Sequence, residues 1–405
     1  MKHVLVLMLC GIFVLASCGG EKAKNRNTNE KAVELAKKVL IVDTHIDLPF
    51  RLKREWTDVS VENSKGHFDF VRARRGGLDA AFMSIYIPAR NEKKEGGKAL
   101  ADTLIDLVEK IEKNWPDKFK RVTSPEEIES NFSSGKVMLA LGIENGTALD
   151  GNLQNLRYFY ERGVSYITLT HSKCNRIGDS SYDKERRWHG LSDFGKKLVL
   201  EMNKLGMMVD ISHVSDETFN DVLEISKAPV IASHSGCRSL TPGFERNMSD
   251  SMIIRLAEKG GVVQINFGSY FVSKSYNQLS DSVWSHMGKY LKEHHLSWWD
   301  SLAQAHMAEY KKQIGLSNGS IADLVDHIEH VIQLVGEDHV GLGSDFDGVI
   351  DLPAGIEDVS SYPKIIEELL NRGYSEQTIR KISGGNILRV WKEVEQIAKN
   401  LQDIA

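Results

Sequence analysis

Short runs of apolar and β-branched residues recur along this chain, and segments with helical periodicity lie between most of them. Eight such runs are present, at Val39–Asp43, Ala81–Ile87, Val137–Ile143, Val164–Thr170, Met207–Ile211, Pro229–Ala232, Val262–Phe267 and Val340–Gly343. Eight strands that alternate with helices predict an α/β fold, a (β/α)8 TIM-type barrel. A doubly wound sheet is the alternative, but it usually carries a glycine-rich phosphate turn after its first strand, which this sequence lacks.

Sequence signals mark the ends of several predicted helices. Leu191–Leu205 opens on Ser192-Asp193, a favoured N-cap pair, and stops at Gly206, a favoured residue after a helix. Ser215–Ser226 and Ser249–Glu258 begin in the same way. These segments support strands that are connected by helices rather than by hairpins.

The chain is longer than its barrel requires. A typical (β/α)8 barrel takes about 250 residues, whereas this chain has 405. Much of the excess is an insertion at about 271–319, after the seventh strand, with a helical pattern and many aromatic residues: Trp284, Tyr290, Trp298, Trp299 and Tyr310. An insertion at this end of a barrel is typical of a lid or an oligomer contact, and the alternative is a surface helical pair with no catalytic role.

The charge balance argues against one class of partner. The formal net charge is −5 at pH 7, and the charged residues are spread along the chain. No basic block of the kind that follows a phosphate backbone is present. We therefore expect no nucleic-acid partner.

The first residues predict export and lipid attachment. Residues 1–17 form a signal peptide whose apolar stretch is too short to span a bilayer. Cys18 directly follows that stretch, as in a bacterial lipobox, where the cysteine becomes the lipidated first residue; the alternative is an ordinary secretory signal with Cys18 incidental. Residues 18–33 predict a flexible tether and 34–405 a single catalytic domain. The chain is thus predicted to be a bacterial lipoprotein of the cell envelope, on the outer membrane facing the periplasm or the exterior, with membrane contact only through the Cys18 lipid.

Two ordinary cysteines remain in the predicted catalytic domain, Cys174 and Cys237. An oxidising compartment would permit a bridge between them. Two cysteines do not make a disulfide framework, however, and sequence spacing cannot give their separation. We expect two free thiols.

Ionisable side chains stand at the ends of most of the predicted strands. Six of the eight strands are followed by or end in a His, Asp or Glu: His45 and Asp47, Glu144, His171, His213, His234 and Asp345. The carboxyl ends of barrel strands meet at one rim, where active sites of this fold lie. Each residue alone has an ordinary structural interpretation as a cap, a turn carboxylate or a core histidine. Burying ionisable side chains at six strand ends without partners is costly, and binding to a metal ion removes that cost.

The number of ligands predicts two ions. Five candidate ligands, His45, Asp47, Glu144, His213 and His234, are too many for one catalytic zinc, which keeps three protein ligands and an open position. We assign His45 and Asp47 to one ion, His213 and His234 to the other, and Glu144 to the bridge between them. Zinc suits imidazole with carboxylate best, and manganese, cobalt or iron also fit. Asp345 remains as a proton shuttle.

Several of these segments together resemble a known family. They are His45-x-Asp47-Leu48-Pro49, Gly142-Ile143-Glu144-Asn145-Gly146, Leu169-Thr170-His171-Ser172, Asp210-Ile211-Ser212-His213-Val214-Ser215, Pro229-Val230-Ile231-Ala232-Ser233-His234-Ser235, Arg246-Asn247, Gly343-Ser344-Asp345-Phe346-Asp347-Gly348 and Gly384-Gly385-Asn386-Ile387-Leu388-Arg389-Val390. In this order they are similar to the membrane dipeptidase family, peptidase M19. The resemblance spans roughly residues 39–390 and implies a metal-dependent hydrolase barrel with two zinc ions that cleaves dipeptides, and a homodimer.

The resemblance also implies roles for three further residues. His171 would contact the scissile carbonyl or the oxyanion that forms from it. Arg246 would hold the carboxylate of the dipeptide, a bidentate role that suits arginine. Tyr270 would help to bind that end of the substrate. The sequence departs from the family at Ile46, where asparagine is common, and in its long aromatic insertion, which bears on the range of substrates.

The implied reaction is hydrolysis of an unblocked dipeptide by a metal-bridging hydroxide. One alternative is another binuclear amidohydrolase that acts on lactams, lactones or N-acyl amino acids. Such sites commonly use a carbamylated lysine after the fourth strand, and Lys173 lies two residues beyond His171. The other alternative is a non-catalytic lipoprotein that captures metal or peptides.

Overall fold

The computed structural model describes residues 28–94, 96–298 and 300–403. The predicted signal peptide, Cys18 and Trp299 lie outside these residues. The strands are β1 (Ile41–Ile46), β2 (Leu78–Tyr86), β3 (Phe119–Arg121), β4 (Val137–Glu144), β5 (Val164–Thr168), β6 (Met208–Asp210), β7 (Ile231–Ser235), β8 (Val262–Ile265) and β9 (Val340–Leu342). The helices are α1 (28–36), α2 (Leu48–Arg54), α3 (Phe70–Gly76), α4 (Asn91–Lys94), α5 (Gly97–Asn114), α6 (Pro125–Asn131), α7 (Leu153–Glu161), α8 (Asp193–Leu205), α9 (Asp216–Ile225), α10 (Asp250–Glu258), α11 (Ser269–Val272), α12 (Lys274–His294), α13 (Ser301–Gln313), α14 (Ile321–Val335), α15 (Tyr362–Asn371), α16 (Glu376–Arg380) and α17 (Asn386–Asp403).

Eight parallel strands close into a barrel, which confirms the predicted fold. The order runs β2-β1-β9-β8-β7-β6-β5-β4, and pairing of β2 with β4 closes the ring. The extra strand β3 was not predicted, because Phe119-Lys120-Arg121 contains a single apolar residue. It pairs with the first residues of β4, whereas β5 pairs with the last ones. The extra strand therefore widens the sheet locally without entering the ring.

The predicted helix ends are confirmed by the capping contacts. The Ser192 side chain accepts a hydrogen bond from the Gly195 amide at the start of α8, and Gly206 ends that helix with a φ of 82°. A φ in this region is accessible to glycine without a steric penalty. Ser215 and Ser249 cap α9 and α10 in the same manner.

The last helix closes the bottom of the barrel. Side chains of alternate strand residues fill the interior, among them Val42, Phe82 and Tyr166. Trp391 of α17 packs against this group from below, with its ring 5.3 Å from that of Phe82. The core is thus sealed at the end opposite the rim where the polar strand ends meet.

The insertion after the seventh barrel strand is present as the hairpin of α12 and α13. Its helices share a small core of their own, formed by Val283, Met287, Leu291, Ala303 and Met307. Asp351, on the loop after β9, ties the hairpin to the barrel by accepting hydrogen bonds from Lys311 of α13 and Tyr276 of α12. The insertion is therefore fixed to the barrel rim by buried polar contacts as well as by packing.

The start of the folded domain differs from the prediction. Residues 28–33, assigned to the tether, belong to α1. Ala32 on this helix is fully buried, and Leu35 and Ala36 join the outer core. The polar residues around Ala32 concealed a helix with one apolar face. Within the described residues, no helix is long and apolar enough to cross a membrane.

The two described cysteines are free thiols in different surroundings. Cys174 is half-buried. Cys237 is fully buried, and its amide donates a hydrogen bond to Nδ1 of His327 over 2.9 Å. Burial raises the pKa of both thiols, to about 11 at Cys174. Both side chains are therefore thiols rather than thiolates at neutral pH.

Buried His327 makes the stability of the fold depend on pH. Burial lowers its pKa to about 4 from an ordinary 6.5. Its Nδ1 accepts the Cys237 amide proton and its Nε2 lies 3.2 Å from the Val272 carbonyl, so the folded state holds a neutral ring. The unfolded chain binds a proton below pH 6.5, so stability falls as the pH drops from 6.5 towards 4. The loss at pH 5 is about 2 kcal/mol.

We expect His327→Asn to remove this part of the pH dependence, because asparagine can accept the same amide proton but does not titrate. The measurement is urea unfolding of both proteins at pH 5 and pH 7.5. From pH 7.5 to pH 5, the free energy of unfolding of the wild type should fall by about 2 kcal/mol more than that of the variant. Equal losses in the two proteins would show that His327 does not contribute.

Candidate active site

The structure brings the predicted strand-end residues to one rim of the barrel. His45 and His234 lie within β1 and β7, and Glu144 ends β4. His213 and Asp345 follow β6 and β9. All five are buried. The strands that carry or precede them belong to one closed parallel ring, so their side chains converge above the barrel core.

Glu144 lies at the centre of this group. Its Oε1 is 3.1 Å from Nε2 of His213, 3.4 Å from Nε2 of His171 and 3.5 Å from Nε2 of His234. Its Oε2 is 3.6 Å from Nε2 of His45. One carboxylate thus meets four imidazoles, two of which, His213 and His234, have their Nε2 atoms 2.9 Å apart.

Asp47 reaches the same centre by a route that differs from the prediction. Its Oδ2 lies 3.5 Å from Nε2 of His45, so the two side chains do approach one another. Strand β1 ends at Ile46, however, and Asp47 is the N-cap of α2 with φ −83° and ψ 23°. The pair therefore converges through the turn into a helix and not through the alternation of an extended strand.

Two site residues have a backbone conformation that side chains other than glycine rarely adopt. The φ angle is 70° at His213 and 61° at Asp345. Such conformations cost of order 1–3 kcal/mol each and are concentrated at functional sites. Gly348, on the loop after Asp345, lies against two carboxylates of the site. A Cβ on Gly348 would lie 2.2 Å from Oδ2 of Asp47 and 2.3 Å from Oδ1 of Asp345. The loop after β9 can approach these carboxylates only because Gly348 has no side chain.

Tyr166 fixes the orientation of His45. The Tyr166 hydroxyl donates to the Thr44 carbonyl over 2.9 Å, and its oxygen lies 3.0 Å from Nδ1 of His45. Because that hydroxyl proton is already directed to Thr44, Nδ1 of His45 donates to Tyr166, and in the neutral ring that can bind an ion the lone pair is on Nε2. The lone pair points towards Asp47 and Glu144.

Asp210 and Ser233 act on His234 in a similar way. The Ser233 hydroxyl donates to Oδ2 of Asp210 over 2.5 Å, and its oxygen is 2.7 Å from Nδ1 of His234. Nδ1 of His234 is therefore the donor to Ser233, which leaves Nε2 free to bind an ion. Tyr166, Ser233 and Asp210 were not given a role from the sequence. One feature of the sequence pointed to the position of Tyr166. Gly142, its pairing partner on β4, has no side chain and so leaves space for the Tyr166 ring.

Burial and neighbouring charge set the protonation of the group. Burial lowers the pKa of His213 and His234 well below the ordinary value, so both rings are neutral. Burial alone would raise the pKa of Glu144, but the surrounding histidines, His171 and His45 first, bring it well below its usual range. Glu144 is thus an anion beside the neutral rings of His213 and His234. At His45, by contrast, the effect of burial is outweighed by Tyr166 and Glu144, which raise its pKa well above its ordinary value. Carboxylate with imidazole is a donor set that suits divalent zinc.

Asp345 stands beside the convergent group and is held from the other side. Its Oδ2 accepts a hydrogen bond from Nδ2 of Asn266 over 2.8 Å. Burial raises the pKa of Asp345 well above its ordinary value. The carboxyl group is therefore fixed in orientation, and its surroundings favour its protonated form more than water does.

His171 and Tyr270 line the cavity above this centre, whereas Arg246 lies behind it. Arg246 is 3% exposed and donates from Nη1 to Ser235 and from Nη2 to the His234 carbonyl, each over 2.7 Å. Its Nε has no hydrogen-bond partner among the described residues. The structure thus brings His171 and Tyr270 to the cavity wall and places Arg246 against the strand that carries His234.

The cavity that opens on the centre has a volume of about 800 Å³. Its floor includes Asp47, Glu144, His213 and Asp345. Aromatic residues form much of its wall: Phe50, Tyr86, Tyr182, Tyr270, Phe271, Tyr276, Trp284 and Trp298. A polar floor under a largely apolar wall is typical of a site for a small molecule with a few polar groups.

Lys173 does not belong to this site. Its side chain is 63% exposed and pairs with Asp183 over 3.1 Å. A carbamylated lysine bridge would have to lie where Glu144 lies. The alternative that depends on Lys173 therefore has no support from the geometry.

The donor atoms fit divalent ions. Three groups of side chains bring potential ligand atoms within 4.8 Å of one another: His45 with Glu144 and His234, Glu144 with His171 and His213, and His45 with Asp47 and Asp345. Nε2 of His45 and Oδ1 of Asp47 are buried without a hydrogen-bond partner in the described part of the chain. Buried polar atoms normally have partners, so these two atoms are placed to accept a ligand.

Comparison with known proteins agrees with this geometry. The sequence profile of the family described as membrane dipeptidase, peptidase family M19, matches residues 29–405. An uncharacterized dipeptidase of Schizosaccharomyces pombe is 35% identical over 387 residues, 91% of this chain and 83% of that protein. The probable dipeptidase PvdM of Pseudomonas aeruginosa has a TM-score of 0.78 and 26% identity, over 92% of this chain and 99% of that one. A metallopeptidase of family M19, dipeptidase AC, has a TM-score of 0.71 and 25% identity, over 88% and 99%. The chain belongs to the membrane dipeptidase family, peptidase family M19.

Proposed function

We propose that this protein hydrolyses unblocked dipeptides with two divalent ions, which we take to be zinc. One observation carries the proposal: four histidines and two further carboxylates surround Glu144 at the floor of a cavity of dipeptide size or larger. We assign His45 and Asp47 to one ion, His213 and His234 to the other, and Glu144 to both. Such ions, when bound, polarise a carbonyl group and lower the pKa of coordinated water.

Asp345 and His171 would handle the proton and the carbonyl oxygen. The scissile C–N bond breaks, the water oxygen joins the carbonyl carbon, and Asp345 transfers the water proton to the leaving amine. The Asn266 contact holds one oxygen of Asp345 and leaves the other directed to the centre. His171, on the cavity wall, donates to the oxyanion that develops from the carbonyl.

Arg246 would bind the carboxylate of the substrate. Its Nε lacks a partner, while its two terminal nitrogens are already held by Ser235 and His234. The fixed guanidinium presents charge without losing side-chain freedom on binding. A site that meets both charged ends of a dipeptide disfavours longer peptides, because their internal amides leave buried charges unpaired.

The test is a substrate panel with purified protein after metal loading. The panel contains a free dipeptide, its C-terminal carboxamide, an N-acetyl amino acid and a lactam, and metal content is measured in parallel. We expect two ions per chain and cleavage of the free dipeptide, with a higher KM for the carboxamide. Arg246→Ala should raise KM for the free dipeptide and leave KM for the carboxamide unchanged. Cleavage of only the N-acetyl amino acid or the lactam would contradict the proposal, and no cleavage at all would favour metal or peptide capture.

We expect Tyr166→Phe to weaken metal binding about 10- to 100-fold. The loss of the hydroxyl removes the acceptor that holds the proton on Nδ1 of His45, so both ring tautomers become accessible. The measurement is competition for metal with a chromophoric chelator. Tyr160→Phe on the exposed face of α7 is the matched control, with unchanged affinity expected. Equal affinities in both variants would exclude the orienting role of Tyr166.

We also propose that the protein is anchored through a lipid on Cys18 and acts as a homodimer at the cell envelope. The sequence up to Cys18 supports the anchor, and the family supports the dimer. Metabolic labelling with a fatty acid tests the first point: label should enter the wild type and not Cys18→Ser. Light scattering of the detergent-solubilised protein tests the second, and a monomer mass would contradict it.

A further inference from the structure

Three aromatic residues of the insertion form one wall of the cavity, which we call the aromatic wall: Tyr276 and Trp284 of α12 and Trp298 of the following loop. Trp284 is 37% exposed, and its ring meets that of Trp298 edge to face at 4.9 Å. Two indole rings and a phenol ring side by side on a cavity wall form a contiguous aromatic surface, the kind of exposed patch that marks a ligand-binding groove. The cavity of about 800 Å³ is also larger than the backbone of a dipeptide requires.

The aromatic wall is held in place before any ligand binds. Asp351 joins α12 and α13 to the loop after β9 through Tyr276 and Lys311. Ile350 of the same loop packs against the core of the hairpin, as does Trp298. The wall and this loop therefore form one packed unit, and a ligand that binds there meets a preorganised surface.

The position of the wall relates it to one end of the proposed substrate. The loop runs from Asp345, beside the centre, through Gly348 to Asp351, beside the wall. Arg246 instead contacts His234 and Ser235 on β7, and β8 separates β7 from β9 in the ring. In the proposed binding mode the carboxylate lies at Arg246, so the amino-terminal residue lies on the side of the wall.

We infer that the aromatic wall binds the side chain of the amino-terminal residue and selects a large apolar or aromatic one. This inference rests on the proposed dipeptidase function. The charge of Asp351 is satisfied by Lys311 and Tyr276, so the wall offers a substrate indole and phenol faces rather than an ion. An aromatic substrate side chain gains from burial and from edge-to-face contact with Trp284, whereas a charged one loses hydration.

The experiment compares kcat/KM for Ala-Gly, Phe-Gly, Gly-Phe and Glu-Gly in the wild type and in Trp284→Ala. We expect kcat/KM of the wild type to be at least tenfold higher for Phe-Gly than for Ala-Gly. The difference between Phe-Gly and Glu-Gly should be larger still. Trp284→Ala should lose most of the Phe-Gly preference, mainly through a higher KM for Phe-Gly. Trp284→Phe should retain the preference, because an aromatic face remains.

Matched controls separate this inference from the stability of the hairpin and from the proposed function. Leu302 on α13 is 65% exposed and does not line the cavity, so Leu302→Ala should leave all four rates unchanged. A wild type that cleaves Ala-Gly but prefers Glu-Gly or Gly-Phe to Phe-Gly overturns the inference alone. A metal-loaded wild type that cleaves none of the four overturns the proposed function.

Discussion

Asp345→Asn is expected to bind metal like the wild type and to lose roughly 10²- to 10⁴-fold in kcat. Asparagine keeps the size of the side chain and one oxygen for the Asn266 contact, but it cannot exchange a proton. The ligands around Glu144 remain in place, so metal content should be unchanged. Single-turnover kinetics with metal analysis of the same sample provide the measurement.

Asp347→Asn is the matched control for this prediction. Asp347 lies on the same loop and pairs with Arg51 over 2.8 Å, and it belongs to none of the three groups of potential ligand atoms. We expect it to lose stability rather than catalysis, with kcat within a few-fold of the wild type. Full activity in Asp345→Asn, or an equal loss of kcat in Asp347→Asn, would exclude a specific proton shuttle at Asp345.

Glu144→Ala is expected to lower metal affinity by at least about 100-fold and to abolish turnover. The substitution removes the carboxylate that lies within 3.1–3.6 Å of four imidazoles, and no other carboxylate occupies that central position in the described structure. Binding of each ion should suffer, because Glu144 is assigned to both. Metal titration monitored by calorimetry provides the measurement, with the folded state checked by circular dichroism.

Lys173→Ala is the control that separates the two kinds of binuclear hydrolase. Lys173 is exposed and pairs with Asp183, so its removal should leave two ions and full activity. The opposite pattern, with metal retained in Glu144→Ala and lost in Lys173→Ala, would assign the protein to the enzymes with a carbamylated lysine. Loss in both variants would contradict the expectation that Lys173 lies outside the metal site.

The barrel and the convergence of the site residues could be predicted because both depend on a repeating pattern. Alternation of strands and helices specifies a closed parallel sheet, and the carboxyl ends of its strands meet at one rim. Glu144, His213 and His234 therefore meet without any knowledge of exact register. The sequence position of the insertion was visible for the same reason, since it interrupts the alternation after the seventh strand.

Residues that act through neighbours distant in sequence could not be found in this way. Tyr166 contacts His45 across 121 positions, and only the register that pairs it with Gly142 reveals the contact. Asp47 approaches the centre through helix-cap geometry, which the period of a strand does not describe. The helix over 28–36 was missed because its apolar face is narrow and its other faces are polar.

The position of the last helix has a consequence for biosynthesis. The barrel interior is covered from below by α17, whose Trp391 packs on Phe82, and Phe82 in turn packs on Tyr166 at 5.6 Å. A nascent chain that has not yet supplied α17 would leave this interior open to water, so packing of the inner core cannot be completed before Trp391 has emerged from the ribosome. A chain cut before residue 391 would leave Phe82 uncovered and would weaken the support that Tyr166 gives to His45.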